Sequence, residues 1–283
     1  MDYSAEKLAK LGIPENIPIG TEVLRVENIY RSFSYVDALI DVNMNLRAGE
    51  IHALVGGNGA GKSTLVNIIC GRLRPTSGNV YVYGQKRKMK SPRDSQKLGI
   101  GTVHQQIAMV ENFDVTASLF LGRELILPPP LGWFKILAMK KMAETAESEI
   151  RRLQISLPSV KEFVRNLSGG QRQGVACAQA LMGNTPIMLM DEPTAALGVK
   201  ETAEVIRLIK QCRDEGIAIL LISHNMKEIF SIAQRITVFR LGEVVAAGRE
   251  TETMTEEDVV SLITGAIEHE RDIPNRKEQA AIL

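Results

Sequence analysis

The stretch IHALVGGNGAGKSTLVNIICGRL, Ile51 to Leu73, decides the fold. It opens as an apolar run of strand length, turns Gly-rich, and ends with the apolar spacing of a helix. Its centre, Gly56-Gly57-Asn58-Gly59-Ala60-Gly61-Lys62-Ser63, fits G-x-x-x-x-G-K-[ST] with the strand before and the helix after. Small residues there let successive backbone N–H groups wrap a phosphate without side-chain clash. The helix N-terminus adds partial positive charge. Lys62 supplies a point charge for the β- and γ-phosphates, Ser63 offers a hydroxyl to Mg²⁺, and Thr64 completes the expected nucleotide-binding set.

Outward from this loop, strands alternate with helices at both ends of the chain. VLRVENI (Val23 to Ile29) and ALIDVNMNL (Ala38 to Leu46) alternate like half-exposed strands. PIMLMDE and IAILLIS, further on, are fully apolar runs with a helix-like segment between them, the pattern of parallel strands covered by helices on both faces. RITVFRLGEVVAAG predicts a hairpin turning at Leu241-Gly242. The middle reads as helical, as in MKKMAETAESEIRRLQI, except for LILPPPLGWF, where three prolines stop any helix.

The expectation is therefore an α/β fold: a P-loop NTPase core with its parallel sheet between helices, an N-terminal antiparallel β portion and an inserted helical subdomain. The boundaries follow. Residues 1–20 form an extension, 21–105 and 186–248 the core, 106–185 the helical insertion, and 249–283 a C-terminal helix and polar tail.

Two further stretches carry chemistry. In PIMLMDE the apolar strand ends on Asp191, placed to hold the Mg²⁺ shell, and on Glu192, placed to polarise an attacking water. LSGGQRQ, Leu167 to Gln173, looks like a second anion grip. A helix beginning near Gln171 would present the N–H groups of Gly169 and Gly170, with the Ser168 hydroxyl, at its positive end.

Composition sets the outer limits. The chain has 283 residues, 45% hydrophobic and 24% charged, with a net charge of +1, so nothing in the overall balance recommends nucleic acid or an anionic membrane surface as a partner. No apolar run approaches the roughly 18 residues of a membrane span, and the N-terminus does not read as a secretory signal. Cys70, Cys177 and Cys212 are widely spaced and odd in number, which predicts buried thiols in a reducing, cytoplasmic setting.

LSGGQRQ, lying between the phosphate loop and the acidic strand, resembles the signature of the ATP-binding cassette family. Other pieces stand in that family's order. Phe33 in RSFSYV matches the aromatic that stacks on adenine, with Tyr35 the alternative. Gln105 in GTVHQQ resembles the glutamine that reaches Mg²⁺ and the water, and His224 in LISHN the histidine that contacts the γ-phosphate. His52, His104 and His269 have no such placement and read as structural or solvated. The likeness covers roughly Val23 to Gly248.

The resemblance implies two chains packed head to tail, the loop at Ser168 of one closing over the γ-phosphate held by Lys62 of the other. ATP and Mg²⁺ are then the cofactors, a second copy the partner, and transmembrane permease subunits the outlet for the work at the cytoplasmic face of the membrane. A permease helix would dock near Gln105 and the helices after it, with the segment Pro128 to Phe134 and its Trp133 adding to this surface.

EIHALVG, NGAGKSTL, LFLGRE, DEPTAALGVKET and LISHNM look like the sugar importers of the ribose and fructose type, which work with an external sugar-binding protein. A cassette ATPase without a transport role, such as one for iron–sulfur assembly, or an importer of another solute such as nucleosides, stays open. Four positions depart from the pattern: Gly57 for an acidic residue, Gln106 for Glu, Ser34 for Gly, and Gly198 for an Asp that crosses the dimer.

Overall fold

A computed structural model describes residues 11–104, 109–129, 131–183, 185–195 and 197–268. The chain opens with strands β1 (Glu22–Phe33), β2 (Val36–Arg47) and β3 (Ile51–Gly56), followed by helix α1 (Lys62–Ile69). Next come β4 (Ser77–Val82), β5 (Gln85–Arg87), α2 (Pro92–Lys97) and β6 (Ile100–Val103). The middle holds α3 (Val115–Phe120), α4 (Met139–Arg152) and α5 (Gly169–Leu181). The chain closes with β7 (Ile187–Asp191), α6 (Val199–Asp214), β8 (Ala218–Ile222), α7 (Met226–Ile232), β9 (Arg235–Arg240), β10 (Glu243–Glu250) and α8 (Glu256–Thr264).

Two sheets result. The larger runs β10-β9-β3-β8-β7-β6, parallel throughout except for the antiparallel edge strand β10. The smaller is antiparallel in the order β2-β1-β4-β5. The two are tied where Ile40 N–H donates to Gly242 O at 2.8 Å. The expected α/β class, antiparallel N-terminal portion and hairpin at Leu241-Gly242 are all present.

β8 explains the centre of the larger sheet. All five of its residues are buried, and each fully buried Leu or Ile contributes about 1.5–3 kcal/mol. A run this apolar is stable only with a layer on both faces, which α1, α5 and α6 help to supply. Helix ends are set by side chains: Asp114 Oδ1 accepts from Ala117 N–H at 2.7 Å to start α3, and Asn225 accepts from Glu228 N–H to start α7.

Several boundaries differ from expectation. β1 and β2 run further toward each other than alternation indicates, because their hairpin carries exposed apolar residues such as Tyr35 and Val36 that mask the pattern. α1 stops at Ile69, with Cys70 as its cap. α5 starts at Gly169 rather than near Gln171, since Ser168 already caps it. All three cysteines are free and buried.

Candidate nucleotide site

β3, β8 and β7 are adjacent, and their register pairs Leu54 with Ile222 and Asp191 with Ile222. The carboxyl ends of three strands therefore converge, the place where open α/β sheets hold ligands. A cleft of about 530 Å³ opens there. It is lined by Asn58, Gly59, Ala60, Gly61, Lys62, Ser63 and Thr64 from the loop, together with Asp191, Glu192, Ile222 and His224.

Two glycines have no substitute in the loop. A Cβ on Gly56, at φ +151°, would lie 2.4 Å from Phe239 O, and one on Gly61, at φ +104°, 2.5 Å from Ala38 O. Gly57 is different: open space surrounds its Cβ position and its φ is ordinary. The Lys62 ammonium donates to Gly56 O at 2.7 Å and Gly57 O at 2.9 Å, so the loop closes round its own cation. Burial lowers the Lys62 pKa, while Glu192 and Asp191 oppose that shift.

Burial raises the Asp191 pKa, the hydrogen bond from Ser63 and the charge of Lys62 lower it, and the neighbouring Glu192 raises it. Glu192 is held in a left-handed conformation, φ +51°, with its N–H donating to Ile222 O at 2.9 Å. Such a backbone costs a non-glycine residue about 1–3 kcal/mol and is retained where surrounding contacts fix it. The result aims its carboxylate across the cleft: Glu192 Oε1 lies 3.2 Å from His224 Nδ1. His224 itself is exposed.

The remaining candidates lie elsewhere. Ser168 and Gln171 form a reciprocal capping box: Ser168 N–H donates to Gln171 Oε1 at 2.9 Å, and Gln171 N–H to Ser168 Oγ at 3.2 Å. None of Ser168, Gly169, Gly170 and Gln171 lines the cleft that holds Lys62. Phe33 sits half-exposed at the β1–β2 turn with the Arg31 guanidinium 4.4 Å over its ring, and Tyr35 is fully exposed. Ser34 takes the left-handed φ of +51° that suits the glycine it replaces. Gln105, Gln106 and His269 lie outside the described residues. His52 is core: fully buried, with Nε2 2.8 Å from Thr237 Oγ1.

Glu201 is a residue that sequence reading passed over. Its carboxylate accepts from Gly198 N–H at 3.1 Å at the start of α6, and its stem packs against Gly170, whose Cβ position lies 3.1 Å from Glu201 Cβ. Hydrogen bonds from Gly198, Gly170, Ser168 and Gly169 hold its pKa down. The signal available was Gly198 followed three residues later by Glu, a capping-box spacing. Gly198, which lacks the expected Asp side chain, thus begins a helix whose first carboxylate faces the α5 N-terminus.

Residues 39–195 match the family model described as ABC transporter. The chain is 39% identical over 254 residues to the fructose import ATP-binding protein FrcA of Rhizobium meliloti, covering 88% of this chain and 96% of that one. It is also 39% identical over 238 residues to the xylose/arabinose import ATP-binding protein XylG of Sulfolobus acidocaldarius, covering 84% and 92%. Among solved structures it resembles a dimeric ATP-binding cassette in a post-hydrolysis state bound to ADP and Pi. There the TM-score is 0.64 and the identity 26%, with 79% of this chain and 97% of that chain covered.

Proposed function

Since the chain belongs to the ABC transporter family, we propose that it is the ATP-hydrolysing subunit of an importer of a monosaccharide, driving a separate permease. The observation that carries this reading is the Glu192–His224 pair, 3.2 Å apart, in one cleft with Lys62, Ser63 and Asp191. In it the loop N–H groups and Lys62 bind the β- and γ-phosphates, His224 faces the γ-phosphate, and Glu192 takes the proton of the attacking water.

A hard cation fits the oxygen donors Ser63 and Asp191, which already share a hydrogen bond. They would hold Mg²⁺, with Gln105 as the further ligand expected from sequence, and the ion would neutralise charge on the phosphates. Phe33, half-exposed and with Arg31 over its ring, is the proposed adenine platform.

Residues 21–105 and 186–248 serve as the nucleotide-binding core and 106–185 as the helical insertion. Because Ser168 to Gln171 do not reach the Lys62 cleft of the same chain, a second copy supplies them across a head-to-tail dimer. ATP binding closes that dimer and hydrolysis releases it.

None of the described helices is long and apolar enough to cross a membrane. In this reading a separate permease provides the span, and the chain acts peripherally at the cytoplasmic face. A cleft of about 370 Å³, lined among others by Pro92, Arg93, Leu121, Arg123 and Gln179, is the proposed permease contact. An external sugar-binding protein completes the system. In this reading the solute is chosen by the permease and the external binding protein, and the relatives' fructose and pentose names indicate its class.

The test has two arms. Purified protein should release phosphate from ATP in the presence of Mg²⁺ and lose that activity in Glu192→Gln. A strain lacking the gene should fail to take up at least one of a panel of labelled pentoses and hexoses. Unimpaired uptake of every sugar would sink the sugar assignment, and no phosphate release from the purified protein or its permease complex would sink the enzyme.

A further inference from the structure

Between α3 and α4 the chain leaves the helical region as a short hairpin. Its base is fixed: Leu127 N–H donates to Ile136 O at 2.9 Å, Ala138 N–H to Leu125 O at 2.8 Å, and Ile126 bridges Leu137. Ala138 is buried and Leu125 packs on the core, so the base is anchored while the rest projects. What projects is apolar. Trp133 and Phe134 are 78% and 79% exposed, and Ile126, Ile136, Leu137 and Met139 are exposed beside them. The directly opposed Ile126–Leu137 pair leaves both side chains largely in water, part of one contiguous apolar surface with Trp133 and Phe134.

Three lysines border this patch. Lys135 follows Phe134 with a left-handed backbone, φ +55°, and Lys140 and Lys141 open α4; all three are exposed. None of them is ion-paired among the described residues. Glu124, the acid nearest in sequence on the other arm, turns its carboxylate back to Gly122 N–H at 3.0 Å. Aromatic side chains flanked by lysines suit the boundary between acyl chains and anionic headgroups, where rings bury and ammonium groups stay wet. The hairpin also springs from the wall of the cleft proposed for the permease, which contains Leu121, Gly122 and Arg123.

We propose that the exposed residues of the two hairpin arms, 125–129 and 133–138, form a lipid-contact element: Trp133 and Phe134 enter the headgroup region of an anionic bilayer while Lys135, Lys140 and Lys141 meet its charge. The inference rests on the peripheral membrane reading only in that lipid must lie within reach. It neither requires nor alters nucleotide chemistry.

Trp133 is the one tryptophan of the chain, so its fluorescence reports the hairpin without background. The full-length protein is mixed with vesicles of phosphatidylcholine containing phosphatidylglycerol, and with pure phosphatidylcholine vesicles. The expected result is a blue shift and reduced acrylamide quenching with the anionic vesicles, weakened by salt. Each Lys→Gln change at 135, 140 or 141 should lower partitioning by about five-fold. Phe134→Ser should lower it further, and the double variant Trp133→Ser/Phe134→Ser should no longer co-sediment, with phosphate release from ATP intact.

Unchanged emission with anionic vesicles overturns the proposal. So does a shift that depends on protein concentration without lipid, which marks self-association. Loss of permease co-purification in the double variant without any lipid response makes the patch a protein contact instead. Failure of lipid binding with phosphate release retained refutes only this element; absence of phosphate release refutes the enzyme reading separately.

Discussion

His224 and Glu192 meet across the cleft from the ends of neighbouring strands, Nδ1 to Oε1 3.2 Å. The contact depends on the left-handed backbone of Glu192, which turns its side chain out of the strand direction. Glu192→Gln keeps the shape and removes the proposed base. Phosphate release should fall by about 10²–10⁴-fold, and an ATP-bound dimer should persist on size-exclusion chromatography with Mg²⁺. A dimer that forms no better than wild type would remove Glu192 from its role.

Ser168→Arg should abolish hydrolysis while leaving ATP affinity nearly unchanged, because Ser168 lies outside the cleft that holds Lys62. Mixing Ser168→Arg with Lys62→Ala chains offers a stricter measurement. Each variant alone lacks both composite sites, whereas the mixed dimer regains one. Partial recovery of phosphate release on mixing is the expected outcome.

The loop glycines should separate sharply. Gly61→Ala forces a side chain into a left-handed conformation against Ala38 O, at a cost of about 1–3 kcal/mol from the backbone alone. It should lower the thermal midpoint and nucleotide affinity together. Gly57→Glu meets open space and should leave the thermal midpoint within error.

Stability should show a pH signature from His52. Burial lowers its pKa below the ordinary 6.5, with Glu50 opposing and Arg235 assisting the shift. The folded state then keeps His52 neutral, while the unfolded chain binds a proton as pH falls through 6.5. Unfolding is thus favoured on the acid side, and stability rises with pH up to that point. Urea midpoints measured between pH 5.5 and 7.5 should slope less steeply in His52→Gln.

Much of this was readable from sequence because the decisive signals are local. The loop from Gly56 to Ser63 and the apolar strand ending at Asp191 each declare themselves within a dozen residues. What escaped depends on distance in the chain. Glu201 lies against Gly170, a contact set by the packing of α5 on α6 and not by any pattern around either residue. The β1–β2 hairpin was under-read at its tip for a related reason: Tyr35 and Val36 are apolar yet exposed, so alternation no longer tracks burial.

Lys62 is already ligated by two carbonyl oxygens of its own loop. Any polyphosphate arriving there must outcompete those dipoles, so measured affinity is the surplus of one set of oxygen contacts over another. Such an exchange gives the ammonium oxygen partners before and after the swap, so the gain from the incoming anion is smaller than it would be for a bare cation.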